Sequence, residues 1–416
     1  MAIRLDDQIV DPVTYATPNR YDEIFAAMRR DEPVRWTEPV GYRPFWTVTK
    51  HSDILEIERQ SHKFLNEPRL TLIPVQEEER RARAGSAKLI RTVINMDDPE
   101  HRAHRNITQT WFLPKNLLKL EHDIAELARE FIDGMDGFGG KCDFAKDVAV
   151  WYPLRVIMTI LGVPREDDVK MLALTQALLG SSDRELSGGK TDAEAKQAAA
   201  EEFFRYFGAL SAERRKNPTN DLASVIANAT VDGKPIALFE TLSYYLLIAT
   251  AGHDTTSSVV AGGLHALLEN PSELAKLRQA PELMGGAVEE MLRWVSPVKH
   301  FFRTATEDYV LRGRQIRQGQ ALMMCYPSAN RDEEVFDDPF TFKIDRTPNA
   351  HLAFGYGVHQ CLGLHLARME LKALFKELLG RVDAIEPADT PAWVEANFVS
   401  GLKRFPIRYN MKARAA

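Results

Sequence analysis

Apolar residues recur every three or four positions along most of this chain, which is the spacing of amphipathic helices. A clear example lies between Pro114 and Gly134, where the apolar positions are Leu117, Leu120, Ile124, Leu127, Ala128 and Phe131. The same pattern occupies residues 21–30, 153–161, 192–215, 271–295 and 362–379. These segments predict a mainly helical fold.

The longest apolar segment covers residues 236–269, with Pro235 just before it and the pair Asn270-Pro271 at its end. Proline is tolerated at the start of a helix and interrupts one further along, so these residues mark a start and a stop. At ~1.5 Å per residue, the segment predicts one continuous helix of about 50 Å.

Shorter apolar and alternating patterns predict small β-strands. They lie at residues 34–36, 45–48, 315–317, 321–325 and 405–409. No internal repeat and no low-complexity linker divides the chain, and the charged run at residues 77–83 is interpreted as a solvated surface segment. We therefore expect a single domain over residues 1–416, mainly α with small β-sheets.

Composition and charge limit the possible partners. The 53 Lys and Arg against 59 Asp and Glu give a net charge of −6, which disfavours a nucleic-acid surface. The first residues are charged and lack the apolar core of a secretory signal. The apolar stretch 242–251 has about half of the ~20 residues that a membrane-spanning helix needs. We expect neither nucleic acid nor membrane as a partner.

The three cysteines are Cys142, Cys325 and Cys361, widely spaced and odd in number. This disfavours a disulfide framework and indicates a reducing, cytoplasmic location. Cys142 and Cys325 are interpreted as packed thiols.

Cys361 lies in a distinctive run, Phe-Gly-Tyr-Gly-Val-His-Gln-Cys-Leu-Gly, at residues 354–363. Gly355 and Gly357 allow positive φ and a close approach of the backbone to a flat ligand. Cys361 is predicted at a helix N-terminus, where free N–H groups favour a thiolate, and a thiolate there could bind haem iron. The alternative is a buried structural thiol beside a glycine turn.

A second candidate site is Ala-Gly-His-Asp-Thr-Thr at residues 251–256, in the middle of the longest predicted helix. The hydroxyl of Thr255 can bond to the carbonyl of Ala251 four residues earlier, which would loosen the helix. Gly252 would leave room for a ligand against the backbone.

Residues 354–363 resemble the haem-binding loop of the cytochromes P-450, with histidine at 359 where many members have arginine. The resemblance implies the cytochrome P-450 fold, with haem b between the long central helix and the helix after the cysteine loop. Cys361 would be the iron ligand, and the loop residues that contact the cofactor would include Phe354, Gly355 and Gly363.

Other segments are similar to the same family. In residues 97–105, His101 and Arg105 lie four apart on one helix face and would donate to one haem propionate. Arg303 and His359 would hold the other propionate. Asp254 and Thr255 would help deliver protons to dioxygen. The family also implies a buried structural triad, formed here by Glu290, Arg293 and Arg346.

Residues 329–339 resemble the meander before the cysteine loop and add no chemistry. Within the family, the closest likeness is to the bacterial branch that includes the α-terpineol hydroxylase. That likeness rests on residues 296–299, 326–336 and 396–401.

The resemblance implies a monooxygenase that hydroxylates a small hydrophobic substrate, a terpenoid or an aromatic hydrocarbon derivative. The chain has no Gly-x-Gly-x-x-Gly nucleotide fingerprint, so electrons from NAD(P)H would arrive through a reductase and a [2Fe-2S] ferredoxin. Candidate docking residues for the ferredoxin are Arg102, Arg368 and Lys372. The substrate pocket would include Ala249, Gly252, Val298, Phe301, Phe398 and Val399, under a lid from residues 64–92 and 178–182.

Two alternative functions stay open at this point. A peroxide-driven haem-thiolate enzyme typically lacks the acid–alcohol pair, so Asp254 and Thr255 count against it. A haem-based sensor or carrier would need a signalling segment that we do not find in the sequence.

Overall fold

Helices make up most of the structure, a computed structural model that describes residues 3–83, 91–179, 183 and 192–412. The helices, numbered in chain order, are α1 (Leu5–Val10), α2 (Pro12–Ala16), α3 (Arg20–Asp31), α4 (His51–Glu58), α5 (Val75–Arg83), α6 (Glu100–Gln109), α7 (Pro114–Leu117), α8 (Glu121–Gly134), α9 (Trp151–Ile160), α10 (Asp168–Leu179), α11 (Asp192–Lys216), α12 (Leu222–Ala227), α13 (Leu238–Ala251), α14 (Asp254–Glu269), α15 (Pro271–Gln279), α16 (Met284–Val295), α17 (Tyr326–Ala329) and α18 (Leu364–Arg381). Short 3₁₀ turns lie at Val93–Asn95, Leu118–Leu120, Met135–Phe138, Arg165–Asp167, Pro281–Leu283 and Gly357–His359, and a π-helical turn lies at Ala145–Ala149.

The strands are short and form small sheets. They are β1 (Val34–Thr37), β2 (Phe45–Val48), β3 (Phe64–Leu65), β4 (Lys141–Asp143), β5 (Thr230–Val231), β6 (Lys234–Pro235), β7 (His300–Ala305), β8 (Tyr309–Leu311), β9 (Arg314–Ile316), β10 (Ala321–Cys325), β11 (Val382–Pro387), β12 (Ala392–Trp393), β13 (Leu402–Arg404) and β14 (Pro406–Met411). The largest sheet has the order β1-β2-β10-β7-β3, in which β10 is parallel to β2 and antiparallel to β7. A second sheet has the order β11-β14-β4.

The predicted continuous helix over residues 236–269 is wrong in one respect, because it is two helices. α13 ends at Ala251, and α14 begins at Asp254. At the break, the Thr255 hydroxyl donates to the Ala251 carbonyl at 3.2 Å, as the sequence suggested. Nδ1 of His253 lies 2.9 Å from the Ala249 carbonyl oxygen. At the break, side chains therefore bond to carbonyl oxygens that backbone N–H groups would occupy in an unbroken helix.

The apolar pattern over residues 271–295 also proves to be two helices, α15 and α16. Ala280 has φ −129° and ψ 73°, and Pro281 follows it at the start of a 3₁₀ turn. Proline disfavours helical geometry in the residue before it and has no N–H to continue the ladder. The apolar period resumes in phase after the turn, which is why the sequence pattern did not show the break.

The main core surrounds α18, which packs against α8, α14 and α16. Leu371, Leu374, Phe375 and Leu378 have no exposed surface and form the apolar face of α18. This packing fixes the helix that directly follows the cysteine loop. In the part of the chain described here, the helices are too short or too polar to cross a lipid bilayer.

Candidate active site

The cysteine loop closes through its own backbone. The Cys361 N–H donates to the Phe354 carbonyl at 2.9 Å, and the Gly355 N–H donates to the Leu352 carbonyl at 2.9 Å. Gly357 has φ +72°, and a Cβ there would lie 2.4 Å from the backbone oxygen of Glu58 on α4. Glycine is therefore required at 357 by both conformation and space.

Cys361 differs from the other two cysteines, since its side chain is exposed while Cys142 and Cys325 are buried. Protein atoms still withdraw the thiol from bulk water on its other sides. Burial raises the pKa of the Cys361 thiol, although the Gly363 N–H and the charges of Arg105 and Arg368 act in the opposite direction. α18 begins at Leu364 with Gly363 as its N-cap, so Cys361 lies just before the helix N-terminus, and one N–H of that terminus acts on the thiol.

His101 and Arg105 project from α6 towards the cysteine loop. The His101 ring contacts the ring of His359 at an interplanar angle of 41°, with 4.0 Å between centroids, and Arg105 donates to the Gln360 carbonyl at 2.7 Å. The buried His101 Nε2 has no hydrogen-bond partner among the described residues. Burial, together with the nearby His101, Arg303 and Arg105, lowers the pKa of His359 to about 2. Burial also lowers the pKa of His101. The structure thus brings the predicted anion donors together.

Arg303 reaches this region from β7, and its partner was not foreseen. Its Nη2 donates to Glu58 Oε1 at 3.2 Å, and the Tyr326 hydroxyl donates to the same oxygen at 2.8 Å. Burial raises the pKa of the Glu58 carboxyl, while Arg303 and Tyr326 lower it. The available signal was the position of Glu58 four residues after Ile54, on the apolar face of α4.

The helix break places Asp254 and Thr255 side by side at the start of α14. Asp254 Oδ1 lies 3.0 Å from Nε2 of His253, a residue to which the sequence gave no role. A Cβ at Gly252 would lie 2.6 Å from Ile157, so this glycine makes room for α9, and its contact with a ligand stays a prediction. Ala249 has no exposed surface and belongs to the core, which removes it from the expected pocket lining.

The remaining predicted pocket residues form one apolar wall. Val298 and Val399 pair as an antiparallel bridge, and the rings of Phe301 and Phe398 meet edge to face with 5.4 Å between centroids. All four side chains are half-buried. Of the predicted lid, residues 84–90 and 180–182 lie outside the described residues.

The predicted triad is assembled and buried. Arg293 donates to the two Glu290 oxygens at 2.8 and 2.7 Å, and Arg346 Nε donates to the same carboxylate at 3.1 Å. Arg293 also donates to the Asn330 carbonyl at 2.8 Å, and the Asn330 side chain accepts from the Leu352 N–H at 2.7 Å. Asn330 lies in the meander and links the triad to the base of the cysteine loop, a role that the sequence did not reveal.

Glu289, next to the triad, braces the loop from the other side. Arg368 donates to its two oxygens at 2.7 Å each, and His351 Nε2 lies 3.1 Å away. Although burial raises the pKa of Glu289, the hydrogen bonds and charges of Arg368 and His351 lower it to about 2. Arg368 also lies 4.7 Å over the Phe354 ring, so it is a structural residue and a poor candidate for docking a partner.

The donor set fits a haem. An exposed cysteine, two guanidinium groups and two imidazoles in tilted contact lie around the same loop, and one buried ring nitrogen has no partner among the described residues. These groups suit an iron centre that carries anionic propionates.

Comparison with known proteins agrees with this chemistry. A family model described as cytochrome P-450 matches residues 190–404. Cytochrome P-450-terp from Pseudomonas sp is 39% identical over 411 residues, which covers 96% of this chain and 96% of the relative. A steroid C26-monooxygenase from Mycolicibacterium smegmatis is 33% identical over 404 residues, which covers 95% of this chain and 92% of the relative.

Solved structures give the same result. CYP108D1 from Novosphingobium aromaticivorans matches with a TM-score of 0.91 and 42% identity, covering 98% of each chain. Cytochrome P-450 CYP268A2 from Mycobacterium marinum, in complex with pseudoionone, matches with a TM-score of 0.89 and 31% identity, covering 98% of this chain and 100% of the other.

Proposed function

The chain belongs to the cytochrome P-450 family and is a haem-thiolate monooxygenase, and we propose that it hydroxylates a small terpenoid or aromatic hydrocarbon derivative. The observation that carries this substrate class is the apolar wall of Phe301, Phe398 and the Val298–Val399 bridge. Mostly apolar walls favour compact hydrophobic ligands. The similarity to cytochrome P-450-terp along nearly the whole chain supports the same class.

We propose haem b as the cofactor, with Cys361 as the iron ligand. His101 and Arg105 would hold one propionate, and Arg303 and His359 the other. When bound, the haem iron supplies the reductive cleavage of dioxygen, which places one oxygen atom in a C–H bond and releases the other as water. Glu58 would keep Arg303 oriented towards the cofactor, because the Glu58 carboxylate accepts a hydrogen bond from Nη2 of the Arg303 guanidinium.

Asp254 and Thr255 would move the protons that this reaction consumes. The Thr255 hydroxyl donates a hydrogen bond to the Ala251 carbonyl, so the Thr255 oxygen can accept a hydrogen bond from another group. The Asp254 side chain is 24% exposed and can exchange protons with solvent. The pair would therefore connect water to the reacting face. This arrangement counts against a peroxide-driven enzyme, which needs no such supply.

Electrons would come from NAD(P)H through a reductase and a [2Fe-2S] ferredoxin. An acidic ferredoxin requires basic residues near the cysteine loop. Lys372 is exposed on α18, and Arg102 is exposed on α6 with Asp98 as its partner at 2.9 Å. With Arg368 committed to Glu289, these two residues are the remaining candidates.

A spectral titration tests the substrate class. We expect α-terpineol, related monoterpenes or small aromatics to shift the ferric haem towards high spin, and Phe398→Ala to weaken that binding at least severalfold. Phe340→Ala, at an exposed phenylalanine, is the matched control and should leave binding unchanged. A spin shift with steroids and none with the smaller compounds would contradict the proposed class.

Turnover assays separate the reaction types. Product should form with ferredoxin, reductase and NADH, and little should form with hydrogen peroxide alone. The reverse result would support the peroxide-driven alternative. A compound that shifts the haem spin state but gives no product under either condition would support a sensor or carrier.

A further inference from the structure

His253 is a histidine without any exposed surface, located at the break between α13 and α14. Its Nδ1 lies 2.9 Å from the Ala249 carbonyl oxygen, and its Nε2 lies 3.0 Å from Asp254 Oδ1. The Thr175 hydroxyl of α10 is 3.4 Å from Nε2, and that hydroxyl already donates to the Met171 carbonyl at 2.9 Å. Both ring nitrogens therefore face acceptor atoms.

This arrangement fixes the number of protons that the His253 ring and the Asp254 carboxyl hold together. A carbonyl oxygen can only accept, so Nδ1 must carry a hydrogen. The short contact between Nε2 and the Asp254 carboxyl also needs a hydrogen, either on the ring or on the acid. The His253–Asp254 pair thus holds one proton more than a neutral imidazole beside a carboxylate.

Electrostatics agree with the geometry. Burial lowers the pKa of His253, but the Asp254 charge, its hydrogen bond and the Ala249 carbonyl outweigh burial and raise the pKa overall. Asp254 is the charged group that acts on His253 within the described chain. On α10 the facing group is the neutral Thr175, and on α9 the neighbour of the break is Ile157.

We propose that His253 is a positioning residue that stores the proton which Asp254 passes to the reacting face. In the step, the N–H bond at Nε2 breaks and an O–H bond forms at Asp254 Oδ1. The imidazolium becomes neutral imidazole, the carboxylate becomes a carboxylic acid, and no electrons change hands. Asp254 then releases the proton towards Thr255, and solvent restores it through the partly exposed Asp254 carboxyl. The kinetic consequence rests on the proposed monooxygenase function.

The stored proton is directly observable by ¹⁵N NMR of histidine-labelled holoenzyme in its diamagnetic ferrous carbon monoxide complex. The His253 signals, identified by their loss in His253→Gln, should show both nitrogens protonated at pH 7.5, above the ordinary histidine pKa. In Asp254→Asn, one of these protons should be lost at that pH. A wild-type ring with one bare nitrogen at pH 7.5 would overturn the proposal.

Two substitutions distinguish proton storage from simple positioning. His253→Gln keeps an N–H donor within reach of Asp254 but cannot hold an extra proton, while His253→Asn keeps a donor near Ala249 and loses the Asp254 contact. We expect both to lower product formed per NADH with α-terpineol at least threefold, and to steepen its decline as pH rises. His265→Gln on the same helix α14 is the matched control and should behave as wild type.

The outcomes separate this proposal from the proposed function. If wild type makes no product from α-terpineol, the substrate assignment fails and the NMR result still decides the state of His253. If wild type is active and His253→Gln matches its coupling and pH profile, the stored proton has no role and the proposal is wrong.

Discussion

Glu290 has no exposed surface, yet it lies in a dense network of hydrogen-bond donors that lower its pKa against the effect of burial. Arg293 and Arg346 supply the charged hydrogen bonds, and the Lys343 N–H and the Asn349 side chain add two more at 2.9 and 3.1 Å. A buried charge is tolerated only when its partners offset the cost of leaving water. The network therefore depends on every member.

We predict that Glu290→Gln destabilises the folded holoenzyme by about 3–5 kcal/mol, because Arg293 is left buried without its counter-charge. Urea unfolding followed by the haem Soret band and by circular dichroism measures this loss. Glu126→Gln, in an exposed pair with Arg129, is the control and should cost less than ~1 kcal/mol. Equal stability of the Glu290 variant and wild type would refute the structural role of the triad.

Thr255 is a single hydroxyl whose loss should change the fate of electrons and leave binding intact. We predict that Thr255→Ala keeps haem content and the substrate-induced spin shift, but diverts NADH electrons into peroxide. The ratio of product to NADH consumed, with peroxide assayed in the same sample, is the measurement. Unchanged coupling would exclude proton delivery through Thr255. Thr256→Ser, at the buried neighbouring position, is the control.

At the scale of elements, α16 holds the cysteine loop through two adjacent carboxylates. Glu290 reaches the loop base through Arg293 and Asn330, and Glu289 bonds directly to His351 before the loop and to Arg368 after it. A rigid helix therefore positions both ends of the loop. This explains why the loop geometry does not depend on the loop sequence alone.

The Glu289 clamp predicts acid sensitivity. Its folded pKa of about 2 lies below the ordinary value of 4.5, so the stabilisation is present above pH 4.5 and is lost as pH falls towards 2. We predict that Glu289→Gln is less stable at pH 7 and that its unfolding free energy falls less steeply between pH 5 and pH 3. Chemical denaturation at several pH values tests this. Parallel pH curves for variant and wild type would contradict it.

The sequence predicted most elements because their patterns are local. Apolar spacing identified α3, α11 and α18 within a few residues, and β10 at its observed bounds, whereas the segment between Pro114 and Gly134 divides into α7, a 3₁₀ turn and α8. It failed at Gly252-His253 and at Ala280-Pro281, where hydrogen bonds or a proline interrupt a helix without disturbing the apolar period. Such breaks depend on side-chain contacts that periodicity does not register.

At the scale of the whole molecule, the family motifs identified the site residues themselves. The residues that hold those site residues in place come from other segments of the chain, and the motifs did not identify them. Glu58 lies 245 positions from Arg303, and Asn330 lies 22 from Leu352. Such contacts depend on how elements pack, and the spacing of residues in one segment does not specify packing. Ala249 was misassigned to the pocket for the same reason, since the core encloses it completely.

The surface around α18 and α6 should control electron delivery. We predict that Lys372→Glu and Arg102→Glu slow reduction by the ferredoxin severalfold at low salt, because a reversed charge repels an acidic partner. The difference should shrink as ionic strength rises. Stopped-flow reduction measures the rate. Lys216→Glu at the end of α11 is the control. Equal reduction rates for all three variants would indicate that the ferredoxin docks at another surface.

The central claim is that Cys361 binds the haem iron as a thiolate, and the spectrum of the reduced carbon monoxide complex tests it most directly. Wild type should show the strongly red-shifted Soret band of a thiolate-ligated haem. Cys361→Ala should lose that band, with haem content measured separately so that loss of cofactor is not mistaken for loss of the ligand. A red-shifted band that persists in haem-loaded Cys361→Ala would contradict the assignment of Cys361.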